Sequence, residues 1–467
     1  SPLSQSLLMA NRCLHLQHDN HSERMSLQSA PTYVTADFGL LGIAGAVYNF
    51  VFNIIDIVTD SLLAIVLYET FKESQTDLDR ENTRRWFIIT LCLILIPMVI
   101  INIFSILWYY QNKHCLGDYC VLHKMGRCQG FFKFIFHVLL LGMLIRSIDI
   151  IHYGIKMKKE RRKVQMGDNG TITRLTPKGE VHAVLQMVIS RDTAMLDMIH
   201  SFLQDAPQLI FQIYLLYVMP EIITEQDISK KSTMTIQILK VVLAVMSISW
   251  SLVSYQDELR RSAQDKEQLS FWATVVCLIW RVSMIASRVL AIGSFMGLQL
   301  SSEDGTLQNW IPLGANDNNS AISFPIITII SLSVHWLIMT IWIHAQNTSF
   351  CTTEAGKKRP LLEFIYSCVM GAVHLFSYIN VKDTPSRRRM IFFYTITLIE
   401  NTAMITLWCI LAAPNPDVYS MWYRAIIVFC VEVLWVIGIF SMVGYYAFLH
   451  PDKKSIRQEL VHASWRQ

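Results

Sequence analysis

Charged residues are scarce in this chain. Asp, Glu, Lys and Arg make up 16% of its 467 residues, against 52% hydrophobic, where a soluble domain carries about 25% charged. The mean hydropathy of +0.36 agrees. A net charge of +4 is too small to argue for nucleic acid, so no nucleic-acid partner is expected. The sequence also lacks a Gly-x-x-x-x-Gly-Lys-Ser/Thr phosphate loop, a Gly-x-Ser-x-Gly elbow and a His-Glu-x-x-His zinc helix. An enzyme is therefore the poorer reading. Residues 1–36 lack the charged-then-apolar pattern of a signal peptide and read as a polar, disordered tail on the cytosolic side.

What the chain has is long apolar runs, at 38–68, 86–110, 131–155, 195–219, 234–255, 270–298, 323–345, 361–380, 390–413 and 420–448. Most exceed the roughly 20 residues that a helix needs to cross hydrocarbon. They lack a barrel's alternation, and backbone in lipid must bond to itself, so all are expected to be helical. Pro97, Pro207 and Pro325 lie within or at the ends of these runs, where kinks are expected.

Loop charge assigns sides. Residues 156–163 carry six basic side chains among eight, and 256–269, 346–360 and 381–389 are also basic, so these loops are expected in the cytosol. Loops 299–322 and 414–419 contain no Lys or Arg and are expected outside. The third and eighth runs then have basic flanks at both ends and should enter and leave on the cytosolic side. Eight helices would span, two would be re-entrant, and both termini would be cytosolic. Residues 69–85 resist the scheme, with Lys72, Arg80, Arg84 and Arg85 on an external loop, but five acids are mixed among them.

The two exceptional runs also look alike. Phe132-Lys133-Phe134-Ile135-Phe136 precedes Gly142, and Leu362-Glu363-Phe364-Ile365-Tyr366 precedes Gly371. The fourth and ninth each bury an acid followed by a small or polar residue, Asp205-Ala206 and Glu400-Asn401. The expected fold is an all-α polytopic membrane protein in two pseudo-symmetric halves, about 37–260 and 261–450, followed by a short cytosolic tail at 451–467. Repeats of this kind tend to place a pathway at their interface.

Charge inside the runs carries the functional reading. By insertion scales a central charge costs roughly 2.5–3.5 kcal/mol. Asn53, Asp56 and Asp60 are spaced three then four, and so are Asp205, Gln208 and Gln212; Arg281 and Arg288 are seven apart. Each set shares one helix face, which must look onto protein or water. Internal ion pairing is the bland reading: carboxylates of the first, fourth or ninth run neutralise the arginines. A polar path through the membrane is the sharper one, and a charge network serving as a closed gate satisfies both.

These residues resemble the XK-related membrane proteins. The resemblance rests on Asp56-x-x-x-Asp60 and Asp205-Ala-Pro-Gln-Leu-Ile-Phe-Gln-Ile-Tyr214. It continues through Lys240 to Trp250 with Tyr255 and Leu259-Arg260, then Ser287-Arg288, His335-Trp336, Glu400-Asn401, and Tyr445-Tyr446 before His450-Pro451. It spans about 38–451 in order. It implies eight spanning and two re-entrant helices. In the apoptotic branch it implies an energy-independent phospholipid scramblase of the plasma membrane that exposes phosphatidylserine after caspase cleavage. Asp56, Asp60, Asp205 and Glu400 would then meet the lipid amine and Arg281 and Arg288 the phosphate, with Gln208, Gln212 and Asn401 along the same lipid pathway. A homo-oligomer or an accessory subunit is a possible partner. Two alternatives remain open: a non-scrambling scaffold for a lipid-transfer or other partner, and a secondary transporter, which would depend on a Na⁺ or H⁺ gradient.

Cysteine and tail composition add limits. The expected external loops hold no cysteine, so neither an external disulfide nor a covalent external partner is expected. Cys115, Cys120 and Cys128 with His114 and His123 fit no regular zinc spacing, and no metal or other cofactor is expected. Sequons at Asn169 and Asn347 fall on expected cytosolic loops, and Asn318 falls outside, close to the membrane. The C-terminal tail has no evident cleavage sequence. Leu16-Gln-His-Asp19 in the N-terminal tail offers one, so cleavage after Asp19 is expected ahead of Asp37 or Asp168.

Overall fold

An amide in hydrocarbon has no water to bond, so apolar chain folds into elements that satisfy their own backbone. The computed structural model describes residues 40–74, 77–115, 127–163, 177–218, 228–262, 268–301, 307–308, 310–312, 321–346, 360–381, 386–412 and 421–451. Asp19, Asp37, Asp168, the three sequons and the cysteine-histidine group at 114–128 lie outside these residues or their described side chains.

The first half runs α1 (Leu40–Glu73), α2 (Asp77–Cys115), α3 (Arg127–Val138), α4 (Gly142–Lys163), α5 (Pro177–His200), a π-helical turn (Ser201–Asp205), α6 (Ala206–Val218) and α7 (Ile228–Ser262). The second runs α8 (Phe271–Met296), four short strands, α9 (Phe324–Ala345), α10 (Pro360–Val373), α11 (Arg387–Leu411), α12 (Met421–Gly444) and a second π-helical turn (Tyr445–Leu449). The strands β1 (Leu300–Ser301), β2 (Leu307–Gln308), β3 (Trp310–Pro312) and β4 (Ala321–Ser323) make two antiparallel ribbons between α8 and α9. The protein is an all-α polytopic membrane protein. Among the described residues seven helices are long and apolar enough to cross a membrane: α1, α2, α7, α8, α9, α11 and α12.

Side-chain pattern explains how they pack. On α1 the residues Val47, Val51, Ile54, Val58, Leu62 and Ile65 are exposed at helical spacing, while Ala46, Asp60, Leu63 and Leu67 are buried. The apolar stripe faces outward and the acids inward, the arrangement a lipid solvent demands. The fourth run starts at Pro177, well before the expected 195, and its polar side chains keep it out of the apolar set. It is buried in protein instead. Pro97 sits inside the continuous helix α2, and Pro325 opens α9, where its missing N–H costs nothing.

The third run is two helices, not one. Ser105 of α2 bonds His137 of α3, and Lys133 lies over the Tyr109 ring, so α3 runs back along α2. Then Asn102 accepts from the Gly142 amide, Ser105 from Arg146, and Asp149 from Tyr109, so α4 runs forward along the same helix. Both ends of this hairpin therefore lie toward the C-terminal end of α2, and its tip reaches only the depth of Asn102. Leu140 closes the tip with a φ of 62°. Leu141 donates to Phe136 and Leu140 to His137, a Schellman arrangement with leucine in the left-handed position that glycine usually takes. That leucine costs about 1–2 kcal/mol. Gly142 has no room for a side chain, since a Cβ would meet Asn102 at 2.5 Å.

The eighth run also departs from one helix. Ser367 of α10 reaches His344 of α9, and Gly371 packs on Thr340, so α10 runs back along α9 as α3 does along α2. The helix ends at Val373, turns at 374–376 and continues as non-helical chain through 381. Each inserted helix ends on a histidine, His137 or His374, whose Nδ1 donates to the carbonyl four residues earlier at 2.7 Å.

This geometry predicts sidedness. In a cysteine-free background, Asn112→Cys and Lys159→Cys are expected to react with a membrane-impermeant maleimide from the same face, as are Pro360→Cys and Ser386→Cys. Opposite-face labelling of either pair contradicts the re-entrant geometry.

Candidate functional site

Asp56 and Asp60 stand one turn apart on α1 and share a cation. Lys240 of α7 places Nζ 2.5 Å from Asp56 Oδ1 and 2.7 Å from Asp60 Oδ1. Lys240 is 2% exposed. Asp60 is then saturated from the other side: Gln204 donates to Oδ2 at 2.6 Å and Gln208 to Oδ1 at 2.8 Å. A buried charge pair is tolerable only with such extra bonds.

The π turn explains why both glutamines reach Asp60. Four residues overshoot one turn of an α-helix, which takes about 3.6. The wider π turn reverses that drift, and such turns recur at functional sites. His200, Gln204 and Gln208 thus stay on one line, with His200 bonded to Gln204 at 2.9 Å. The residues of the expected stripe, Asp205, Gln208 and Gln212, take different partners. Gln208 faces Asp60, while Asp205 turns to α7 and accepts from Ser247 at 2.8 Å. Asp205 Oδ1 and both polar atoms of Gln212 are buried with no hydrogen-bond partner among the described residues.

Arg281 and Arg288 sit in a separate cluster. Arg288 donates to Glu400 at 2.5 Å, to Asn401 at 2.8 Å and to the Leu375 carbonyl at 3.1 Å. His335 holds the other oxygen of Glu400 at 2.8 Å. Arg281 donates to Ser377 at 2.7 Å and to the Tyr378 carbonyl at 2.5 Å, and lies 4.2 Å over the Trp280 ring. Both arginines therefore hold the backbone that returns after α10. That backbone is not helical, so its carbonyls need donors from elsewhere.

The clusters flank α6. Tyr217 of α6 bonds Ser294 of α8 at 2.8 Å, and Ile213 packs against Gly293, so the two helices run side by side and their polar residues lie at neighbouring depths. Among the described residues no ion pair or hydrogen bond joins Arg281 or Arg288 to Asp56, Asp60 or Asp205. Of the acids expected to neutralise the arginines, Glu400 does so for Arg288. Glu400 keeps 30% of its side chain exposed.

Sequence reasoning missed Lys240 as a central cation, because it stood at the edge of the 234–255 run. It also passed over Arg146, which is fully buried and bonds the Ser105 hydroxyl and carbonyl, and Asp149, which pairs with Lys133. A count of every charge within the runs finds all of them. Asp56, His200 and Asp205 bring possible metal-ligand atoms within 4.8 Å of one another, a set that could hold a cation.

Removing Lys240 isolates two buried carboxylates. Lys240→Met is expected to lower stability by about 3–5 kcal/mol, as breaking one side of a buried pair does. Adding Asp60→Asn should recover part of that loss. Thermal unfolding in detergent checks both; equal stability of Lys240→Met and the parent contradicts the pairing.

The family model described as XK-related protein matches residues 46–298 and 320–451. XK-related protein 9 of Tetraodon nigroviridis is 24% identical over 377 residues, covering 78% of this chain and 82% of that protein. The family match takes in both charge clusters, the π turns and the two segments that turn back, and the chain is a membrane protein of the XK-related family.

Proposed function

We propose that this protein is an energy-independent phospholipid scramblase that exposes phosphatidylserine at the cell surface. The observation that carries the proposal is a set of buried charges at neighbouring depths, part of it at the wall of a cleft between α1, α5 and α7. Family membership supports the same reading. A phospholipid's tails can stay in hydrocarbon while its head cannot. Acids and arginines along a protein seam lower the headgroup barrier without an energy source, so lipid flows downhill in either direction.

In this reading Asp56, Asp60, Asp205 and Glu400 receive the lipid amine in turn. Gln208, Gln212 and Asn401 line the route. Arg281 and Arg288 receive the phosphate, whose oxygens replace the carbonyl oxygens of 375 and 378 that they now hold. The ion pairs of the resting protein are the closed gate. Lys240 is the internal cation that an incoming amine displaces.

Asp56→Asn, Asp205→Asn and Glu400→Gln keep shape and remove charge. Each is expected to lower scrambling by about tenfold or more, one charge-assisted contact corresponding to about 1.4 kcal/mol or more, with delivery to the membrane intact. Normal scrambling by all three in vesicles contradicts the polar-path reading.

The gate opens, in this proposal, when a caspase cuts after Asp19. An exposed polar tail is cheap to cut. Asp19→Ala, expressed in apoptotic cells that lack the native protein, is expected to stay uncut on a gel and to abolish annexin staining. Full exposure of phosphatidylserine with this variant excludes Asp19 as the trigger.

A further inference from the structure

Between α1, α5 and α7 lies a cleft lined by Phe52, Asp56, Asp197, His200, Ser247 and Trp250. Its free volume is about 30 Å³, room for roughly two waters. It is rich in carboxyl groups. Four carboxylates, Asp56, Asp60, Asp197 and Asp205, lie at or beside it, and Lys240 is the one cation at ion-pair distance from any of them among the described residues. Lys240 serves Asp56 and Asp60. Asp197 has the Asn53 amide, with His200 and Arg146 acting on it at longer range. Asp205 has only the Ser247 hydroxyl on Oδ2, and its Oδ1 is fully buried and unpartnered. Asp205 approaches Asp56 and His200 within the same 4.8 Å group. Buried carboxylates short of cations are relieved by a proton or by a bound cation, and the wall of this cleft suits a cation.

The wall identifies which cation. Tyr48 lies 4.6 Å from Trp250 and 4.9 Å from Phe52, ring centre to ring centre, and the Trp250 indole is fixed by a 2.7 Å bond to Asn49. Aromatic faces attract organic ammonium groups. One turn along α1, Asp60 already holds an ammonium, that of Lys240, which weighs against a divalent ion beside it. A second, apolar recess lined by Met98, Ile101, Leu140 and Leu144 shares Asn53, Asp56 and His200 with the cleft. An amine in the cleft therefore has an apolar neighbour for whatever it is attached to.

We propose that this cleft is a binding site for a primary ammonium group carried by a lipid headgroup, and that it excludes a quaternary ammonium. A primary ammonium is the size of a water and offers N–H donors to Asp56 and Asp205, whose oxygens lie within 4.8 Å of each other, with Asp197 a further carboxylate on the cleft wall. A trimethylammonium offers none and is too large for the space. The scrambling proposal bears only on the source of the amine and on its fate once bound. Asp197, His200 and Trp250 thus gain a role that the lipid-pathway residues above do not include.

The test uses the full chain in neutral detergent, titrated with short-chain phosphatidylethanolamine and with the phosphatidylcholine of identical tails, read by thermal unfolding. The ethanolamine lipid is expected to bind about tenfold tighter, a difference of about 1.4 kcal/mol. Ethylammonium chloride is expected to compete with it, and Asp197→Asn and Asp205→Asn are each expected to erase the preference. If Asp205→Asn does not fold, Asp197→Asn reports alone, since the amide can still accept from Asn53. Equal binding of the two lipids overturns the proposal, as does a preference that survives Asp197→Asn. Stabilisation by ethylammonium but not by the lipid overturns the lipid source. Stabilisation by a divalent cation alone, reversed by chelation, replaces the ammonium with a metal. Binding is read without lipid crossing, so a chain that prefers the amine but does not scramble removes the proposed function and leaves this site standing.

Discussion

A polar group carried into an apolar interior has to find its partner there, and this requirement organises the molecule. It bears hardest on the two segments that turn back on themselves between apolar helices. Backbone that turns round inside hydrocarbon leaves amides and carbonyls with no helical partner. The first hairpin limits the exposure to a three-residue tip, with Leu140 in a left-handed turn and the Gly142 amide given to Asn102. The second continues as non-helical chain, and Arg281 and Arg288 take up the carbonyls of 378 and 375. The two arginines that look most expensive in the sequence are what allows that chain to be there.

The same requirement separates the charges into two groups of opposite character. Around α1, α5 and α7 the carboxylates outnumber the cation that pairs with them, and Asp205 Oδ1 is left bare. Around α8 and α11 there are two arginines, and among the described residues only Arg288 has a carboxylate, that of Glu400, while Arg281 bonds a hydroxyl and a carbonyl. With α6 between them, the interior offers a negative station and a positive one at neighbouring depths. A zwitterionic headgroup carries the complementary pair. Glu400 is the most exposed of the charges expected from the sequence and stands where the second station meets the surface.

Much of this was legible in the residues. The basic flanks of the third and eighth runs pointed to segments that turn back, and α3 with α4, and α10 with its non-helical return, have that geometry. The acids on α1 share a face as their spacing required. Other features were hidden for physical reasons. A regular helical spacing puts Asp205 with Gln208, but Asp205 bonds Ser247 while Gln208 bonds Asp60, and the π turn ahead of them brings Gln204 onto Asp60 as well. No sequence period signals that extra width. Lys240 sits near the start of an apolar run, where a lysine is usually taken to reach for water, yet it points inward to Asp56 and Asp60. The partners of Arg281 are a hydroxyl and a backbone carbonyl, and a search for carboxylates does not find them.

The central claim is that this buried charge system conducts headgroups. The direct measurement is lipid movement in vesicles holding the purified chain, truncated after Asp19, with a tail-labelled fluorescent phosphatidylserine in both leaflets and no nucleotide or ion gradient. Dithionite added outside quenches the outer pool at once. The account predicts that the inner pool follows within minutes. Persistence of the inner pool, equal to that of protein-free vesicles, with the chain folded and inserted, contradicts it.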